Sequence, residues 1–517
     1  MICVKYKWWQ EENKIFYVKG FSKKVLIVVV WTVIALGLYR CSVQLPTVDE
    51  DIAERAEEQE GEEPTSENTM EEMLPEKMPF DENVRILLMN RGYHGIYHEE
   101  LHIACEEGFT VVSNGENTDY APDSELVLRA EDFAENQVVC ITGKNDGRIQ
   151  ISNLGRNSLA RYRGSLECCR AAGGIVVVNE LSVEEYLYGV VPSEMPSAYP
   201  GEALKAQAVS ARTYTYYHKQ NYAYPEWRAH MDDSTAFQVY MNCEETQEAV
   251  RAVDETRNQV LAYDGEIVES FYYSTSGGYS GGARVWSDVV SAADDYLIET
   301  GEEIYASNSE EGEQAYKQYI DSGNEEDIEY HEAWYRWRYD KPLEGNELKQ
   351  FLKKLYTLSQ SQPGTVRIRS RKLSSDQLLN EETVRDIRIL TRRKSGMAAG
   401  IMIETEHFRV SVLSQHAVRQ ALGCAQGVVT RKDGSSYIMG DILPSAYFYI
   451  EKIYDNNGEK GDTLKQVIIH GAGFGHGCGM SQNGAKGLAD RGLTAAQILA
   501  YYYKGSIMDI GELGKCQ

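Results

Sequence analysis

Five glycines alternate along Gly471-Ala472-Gly473-Phe474-Gly475-His476-Gly477-Cys478-Gly479, and Met480-Ser481-Gln482 follows directly. Glycine alone reaches both halves of backbone conformational space at little steric cost, so such a run restricts what can lie against it. In an extended segment the alternation puts all five glycines on one face. That face is flat backbone, open to close approach by a ligand or another strand. Ala472, Phe474, His476, Cys478 and Met480 share the other face. His476 therefore sits among apolar neighbours, either as a satisfied core histidine or as a ligand-facing one. A dinucleotide loop shares the spacing, but it belongs early in a strand–loop–helix unit and not near a C-terminus.

A second landmark lies far upstream, at Val190-Val191-Pro192-Ser193-Glu194-Met195-Pro196. The two prolines predict a loop over 193–200. Glu194 is then either a solvated loop acid or an acid enclosed by apolar, rigid neighbours. A carboxyl can protonate a leaving oxygen near neutral pH only where desolvation raises its pKa. The helix expected to follow works the other way, because its N-terminal dipole favours the carboxylate.

That helix is predicted over Glu202–Lys219 from its alanine-rich composition and length. Lys205 and Arg212 are two turns apart on one stripe. Ala203, Leu204, Ala206, Ala208, Val209 and Ala211 make most of the helix apolar and small. Two cations there need partners: an internal acid, Glu194, or an anionic ligand. Just upstream, Leu181–Gly189 reads as a short helix, with Ser182 as N-cap and Glu185 three residues on.

The remaining pattern is rich in strands. Val84–Leu88 and Gly173–Asn179 read as strands, and Val260–Ser274 as strand broken by an Asp264-Gly265 hairpin turn. Val384–Val412 reads as a hairpin turning at Ser395-Gly396. Tyr335–Tyr356 is expected to be helical near its end. Ser359–Asp376, with its basic cluster, is an edge hairpin or a polymer contact. A last helix starts at Thr494, with Gln497 completing a capping box. Phe271-Tyr272-Tyr273-Ser274-Thr275-Ser276-Gly277-Gly278 is a hydroxyl-rich turn leading to Val285-Trp286. Tyr273, Ser274 and Ser276 can hydrogen-bond sugar hydroxyls and Trp286 can stack on a sugar face, or the segment is a structural turn with a core tryptophan.

Charge divides the chain. The formal net charge is −27, and the acidity is concentrated in solvated stretches. No dominant basic surface balances it, which excludes nucleic acid as a partner. Residues 1–24 read as a cytoplasmic segment. Residues 25–39 are an uncharged apolar run, shorter than the roughly 20 residues of an ideal span. Lys14, Lys19, Lys23 and Lys24 precede it, as in an N-in transmembrane anchor; a cleaved signal peptide is the alternative. Residues 40–82 form an expected disordered acidic linker. Residues 83–510 form the folded domain, with 299–330 as an exposed acidic insertion; Asp49–Glu82 and Gly301–Tyr330 are expected to be dispensable for folding. The ten cysteines include no C-x-x-C pair and no zinc-like spacing, and read mainly as buried apolar thiols.

In chain order, six blocks resemble the SpoIID/LytB family of sporulation cell-wall proteins over roughly Asn83 to Gly505. These are Asn179–Leu187, Val190–Pro196, Leu204–Tyr214, Gln238-Val239-Tyr240, Ser274–Gly278 with Val285-Trp286, and Gly473–Gln482. The resemblance implies a peptidoglycan lytic transglycosylase with Glu194 as catalytic acid/base. It also implies a substrate-binding set of Lys205, Arg212, Tyr273, Ser274, Ser276 and His476. In such enzymes one acid suffices, because the muramyl C6 hydroxyl attacks in place of water and leaves a 1,6-anhydro end. Tyr273 stands where many relatives carry histidine. The loop Asp232–Phe237 lacks the Cys and His that bind metal in some relatives, so no metal or cofactor is expected. The expected fold is α+β, a strand-rich mixed domain with a catalytic cleft, preceded by one N-terminal transmembrane helix and the acidic linker. Expected partners are peptidoglycan glycan strands, the cytoplasmic membrane through the N-terminal helix, and other cell-wall hydrolases. The expected location is the cell membrane, single-pass, with the catalytic domain extracytoplasmic. The alternative is a non-catalytic peptidoglycan-binding module that enhances a cell-wall amidase.

Overall fold

Ile175-Val176-Val177-Val178 is a β-branched run, and β-branched side chains favour the pleated backbone. All four are buried, as in a central strand. In the computed structural model they lie within the strand Gly174–Ser182, which pairs antiparallel with Asn83–Leu87 and with Ser165–Ala171. The structure describes residues 83–513 other than 135–136, 157–159, 287–289, 371–382 and 456–462. The expected anchor over 25–39, the segments flanking it, Cys3, Cys41, Cys516 and half of the basic cluster, Arg371 and Lys372, lie outside the described residues.

The chain is a mixed α+β, strand-rich protein. A seven-stranded sheet runs in the order Met231–Asp232, Asn83–Leu87, Gly174–Ser182, Ser165–Ala171, Val138–Gly143, Phe109–Ser113, Glu116–Tyr120. Two further sheets come from the second half. One has five strands with Trp337–Pro342 at its centre, and the other has four, with Val366–Ser370 on an edge as expected. The Asp264-Gly265 turn joins Gln259–Tyr263 to Glu266–Ile267, with φ of 50° and 80°. Gly396 turns the Val384–Arg392/Ala398–Thr405 hairpin at φ 86°.

Helices α1 (Val183–Glu194), α2 (Gly201–His218) and α3 (Gln247–Glu255) pack together. Ser182 caps α1, accepting from Glu185 N–H and donating to its carboxylate at 2.9 Å. α2 is buried on nearly every side from Ala203 to Tyr216, so its alanines let neighbours approach closely. α4 (Glu310–Ser322), α5 (Gly345–Ser361) and α6 (Gln415–Leu422) follow. Two more helices, α7 (Gln482–Asp490) and α8 (Ala495–Tyr502), close over α2. Thr494 and Gln497 form the expected capping box on α8.

The structure refines or corrects the sequence reading at four places. First, Tyr335–Tyr356 is helical near its end as expected, and it opens with the strand Trp337–Pro342. The glycine run is not extended beyond Ala472: Gly473, Gly475, Gly477 and Gly479 have φ of 75°, 118°, 76° and 76°. The left-handed turns let the loop fold against 271–281. Phe474 and Thr275 exchange backbone hydrogen bonds at 3.0 and 2.8 Å, and Gly281 N–H donates to Gly477 O at 2.7 Å. A Cβ at Gly479 would lie 1.9 Å from Phe271 O. The loop is therefore glycine-rich because Thr275 and Phe271 backbone and the Trp337, Tyr273 and Tyr447 side chains occupy the space that a Cβ would take.

Third, Glu194 is not in a loop. α1 continues through Pro192 and ends on Glu194. Fourth, the acidic segment 299–330 is not an exposed insertion. Tyr305, Tyr316 and Ile320 are buried, and so is one of its acids, Glu329. Glu313 pairs with Arg392, whose side chain is fully buried, and the Arg392 guanidinium lies 4.1 Å over the Tyr316 ring. Composition concealed this because the tyrosines are spaced through the acids at helical intervals. Tyr316→Ala should destabilise the fold by about 3–5 kcal/mol, as large-to-small core changes do. Thermal unfolding measures this, and a loss under about 0.5 kcal/mol would restore the exposed-insertion reading.

Candidate functional site

The last turn of α1 delivers Glu194 to a junction of three segments. Its Oε1 accepts the Val239 N–H at 2.6 Å, and the Gln482 side chain bonds the same carboxyl. Gln238, just before Val239, donates to Thr215 Oγ1 on α2 at 3.0 Å and accepts from Tyr272 Oη at 2.8 Å. Gln482 also donates to Gln207 of α2 at 3.5 Å. Beside it, Asn483 bonds Tyr199 Oη and donates to Thr275 Oγ1 at 2.8 Å. The site is thus assembled from α1, the 238–240 segment, the 272–276 turn and the start of α7.

Burial raises the Glu194 pKa to about 7, opposed by the bonds from Val239 and Gln482. Being at a helix C-terminus acts in the same direction as burial, since the dipole there disfavours a negative charge. This reverses the expectation of an opposing N-terminal dipole. The residue as a whole keeps partial exposure, while its carboxyl is enclosed. No cation and no second carboxylate is among the groups that shift it.

Arg212 and Lys205 share one stripe as expected, but it faces α1 and α3. Arg212 is fully buried and bidentate to Glu184 at 2.7 and 2.7 Å. It also donates to Val253 O at 3.0 Å and Gln259 O at 3.2 Å. Lys205 pairs with Glu202 at 2.9 Å and Glu255 at 2.7 Å. Arg212 can position α1 but cannot touch a glycan. Tyr273 is buried, and Ser276 is committed to a buried acid, Glu329, through its N–H at 2.8 Å and its hydroxyl. Ser481 Oγ donates to the same carboxyl at 2.6 Å. Burial raises Glu329 to about 7 against those bonds. The backbone oxygen of Ser274 receives Asn483 N–H at 2.9 Å, so the turn acts mainly as scaffold.

His476 is internally satisfied. Its Nε2 lies 2.9 Å from Tyr272 O, and its Nδ1 accepts Cys478 N–H at 3.1 Å. Burial, aided by the nearby Arg419 charge, lowers its pKa to about 3, so it stays neutral. Asp233 is buried against Arg156 at 2.6 Å. Among the described residues no cluster of His, Cys, Asp or Glu is arranged to hold a metal. Their cysteines are free thiols. Sequence reasoning missed Gln482, Gln238, Tyr272 and Glu329. The first two were visible in the Met-Ser-Gln and Gln-Val-Tyr blocks, but nothing local ties either to Glu194.

The family model for the stage II sporulation protein SpoIID matches residues 171–263. That span carries Glu194, Lys205, Arg212 and Val239. The chain is 29% identical over 356 residues to an uncharacterised protein of Brachyspira hyodysenteriae, covering 68% of this chain and 74% of that one. It is 25% identical over 344 residues to stage II sporulation protein D of Bacillus subtilis, covering 64% and 75%. The chain belongs to the SpoIID/LytB family. The amidase enhancer of Bacillus subtilis is 27% identical over 331 residues, which is 62% of this chain and 40% of that protein. The SpoIID/LytB family acts in sporulation and at the cell wall.

Two outcomes follow from this geometry. A carboxyl whose folded pKa lies above its unfolded value of about 4.5 binds more protons in the folded state between those two values, so its contribution to stability falls as pH rises toward 7. Glu194→Gln should therefore raise stability above pH 7, by on the order of 2 kcal/mol, with the gain vanishing toward pH 4. Arg212→Ala should cost about 3–5 kcal/mol by leaving Glu184 buried and unpaired. Melting curves across pH check both, and a pH-independent effect of Glu194→Gln would contradict the raised pKa.

Proposed function

We propose that this chain is a peptidoglycan lytic transglycosylase in which Glu194 serves alone as acid and then base. The observation that carries the reading is Glu194 at the end of α1, held by Val239 N–H with a pKa raised to about 7 and with no second carboxylate among the groups that shift it. Hydrolytic glycosidases ordinarily need a carboxylate pair, one of them to activate water or attack the sugar. A lone acid suits a reaction in which the substrate supplies the nucleophile. Glu194 protonates the glycosidic oxygen, then accepts the proton of the muramyl C6 hydroxyl as that oxygen closes on C1. Proton and charge balance, and the product is a 1,6-anhydromuramyl end. Val239 N–H and Gln482 hold the carboxyl in one rotamer through both half-steps, which favours a near-attack geometry.

The run over 25–39 with its preceding lysines supports anchoring in the cytoplasmic membrane with the folded domain outside. The family's sporulation role makes cell-wall remodelling in sporulation or engulfment the setting. Similarity to an amidase enhancer favours one second reading, a wall-binding module that stimulates a separate amidase.

Mass spectrometry of digested glycan strands separates these readings. Anhydromuramyl ends are expected. Reducing ends indicate hydrolysis, and no cleavage with stimulated amidase indicates the enhancer. Glu194→Gln should lower turnover by at least about 10²–10⁴ while glycan binding survives. The wild-type kcat/KM should fall as pH rises through about 7, where the acid form is lost.

A further inference from the structure

Resting on the glycan-cleaving reading above, we propose that Trp286, backed by Phe271 and His476, is an outer sugar subsite tied to the Glu194 site through packed core rings. Trp286 is 41% exposed, whereas Trp227, Trp334 and Trp337 are partly or fully buried. Its ring is 5.0 Å from Phe271 and 5.5 Å from His476, tilted 43° and 42° to them. One side of the indole is thus supported and it retains solvent-exposed area. A single exposed aromatic needs no explanation, but one held firmly by two other rings is built to bind.

The rings continue inward through the core, where Tyr214 is itself buried, so they brace Trp286 and do not form a path for sugar. Phe271 meets Tyr214 at 6.4 Å, Tyr214 meets His218 at 4.2 Å, and His218 meets Phe237 at 5.6 Å. Phe237 lies two residues before Val239, whose N–H holds Glu194. Tyr272 ties the two ends together directly. Its backbone oxygen lies 2.9 Å from His476 Nε2, while its hydroxyl bonds Gln238 at 2.8 Å.

An amino-sugar strand fits this arrangement by its chemistry. Pyranose rings present apolar C–H faces that stack on aromatic rings, and polar edges that need hydrogen-bonding groups. The Arg284–Asp294 ion pair at 2.9 Å, both members partly exposed, supplies such groups two residues before Trp286. This explains the internal bonding of His476: its role is to hold Trp286 and Tyr272, not to touch the scissile bond.

The test uses the full chain carrying Glu194→Gln, so that bound glycan is not cut. The probes are β-1,4-linked N-acetylglucosamine oligomers of two to eight sugars. Titration should shift tryptophan emission to the blue for longer oligomers, and Kd should fall once the oligomer is long enough to reach Trp286. Adding Trp286→Ala should abolish the shift and raise Kd for the longest oligomer about tenfold, leaving the disaccharide unaffected. Trp286→Phe should keep most of the affinity. The proposal is overturned if Trp286→Ala binds long oligomers as its parent does, if affinity is independent of length, or if no oligomer binds. The catalytic reading fails separately, through an absence of anhydromuramyl product from the wild type.

Discussion

The buried pair between Arg212 and Glu184 fixes the geometry on which the rest depends. Taking a guanidinium and a carboxylate out of water is costly, and only well-aligned partners offset it. Here the bond is bidentate, and the remaining guanidinium protons reach Val253 O and Gln259 O. Val253 lies in the last turn of α3, where a cation complements the helix dipole. One side chain on α2 therefore holds the first turn of α1, the end of α3 and the strand Gln259–Tyr263. With the start of α1 fixed, its twelve-residue length decides where Glu194 falls.

Among the described residues, Glu194 and Glu329 are acids whose pKa values burial raises to about 7, for different structural purposes. Glu329 is enclosed and receives three hydrogen bonds, two from Ser276 and one from Ser481. It clamps the 272–276 turn to the start of α7. Glu194 receives two bonds, sits at a helix C-terminus and keeps some exposure. The first carboxyl is committed to three donors, whereas the second keeps acceptor capacity and ends a helix. The difference separates a structural acid from a candidate catalytic one more clearly than pKa does, since burial raises both.

The 271–281 segment and the glycine loop form one unit. Alternate residues of the loop turn left-handed, which brings its backbone against that of the other segment over several hydrogen bonds. This contact sets the start of α7, and with it Gln482 beside Glu194. It also sets His476 under Trp286. A loop that superficially looks like a binding motif is the joint that orients both ends of the site.

Much of the domain could be read from local pattern. The β-branched runs, the Asp-Gly turn, the Ser182 and Thr494 caps and the alanine-rich α2 are each decided by neighbours within a few residues. Six ordered blocks also marked the family. Tertiary structure decided the remainder, because the deciding partners are distant in sequence. Glu194 meets Val239 and Gln482, Arg212 meets Glu184, and Tyr316 finds its core across the chain. No local pattern distinguishes a cation awaiting a ligand from one already paired 28 residues away. Nor does composition reveal that an acidic segment buries its tyrosines. Residue types determined which chemistry was possible, and the enclosure and pairing of each side chain, which exist only in the folded chain, decided which groups remain free to perform it.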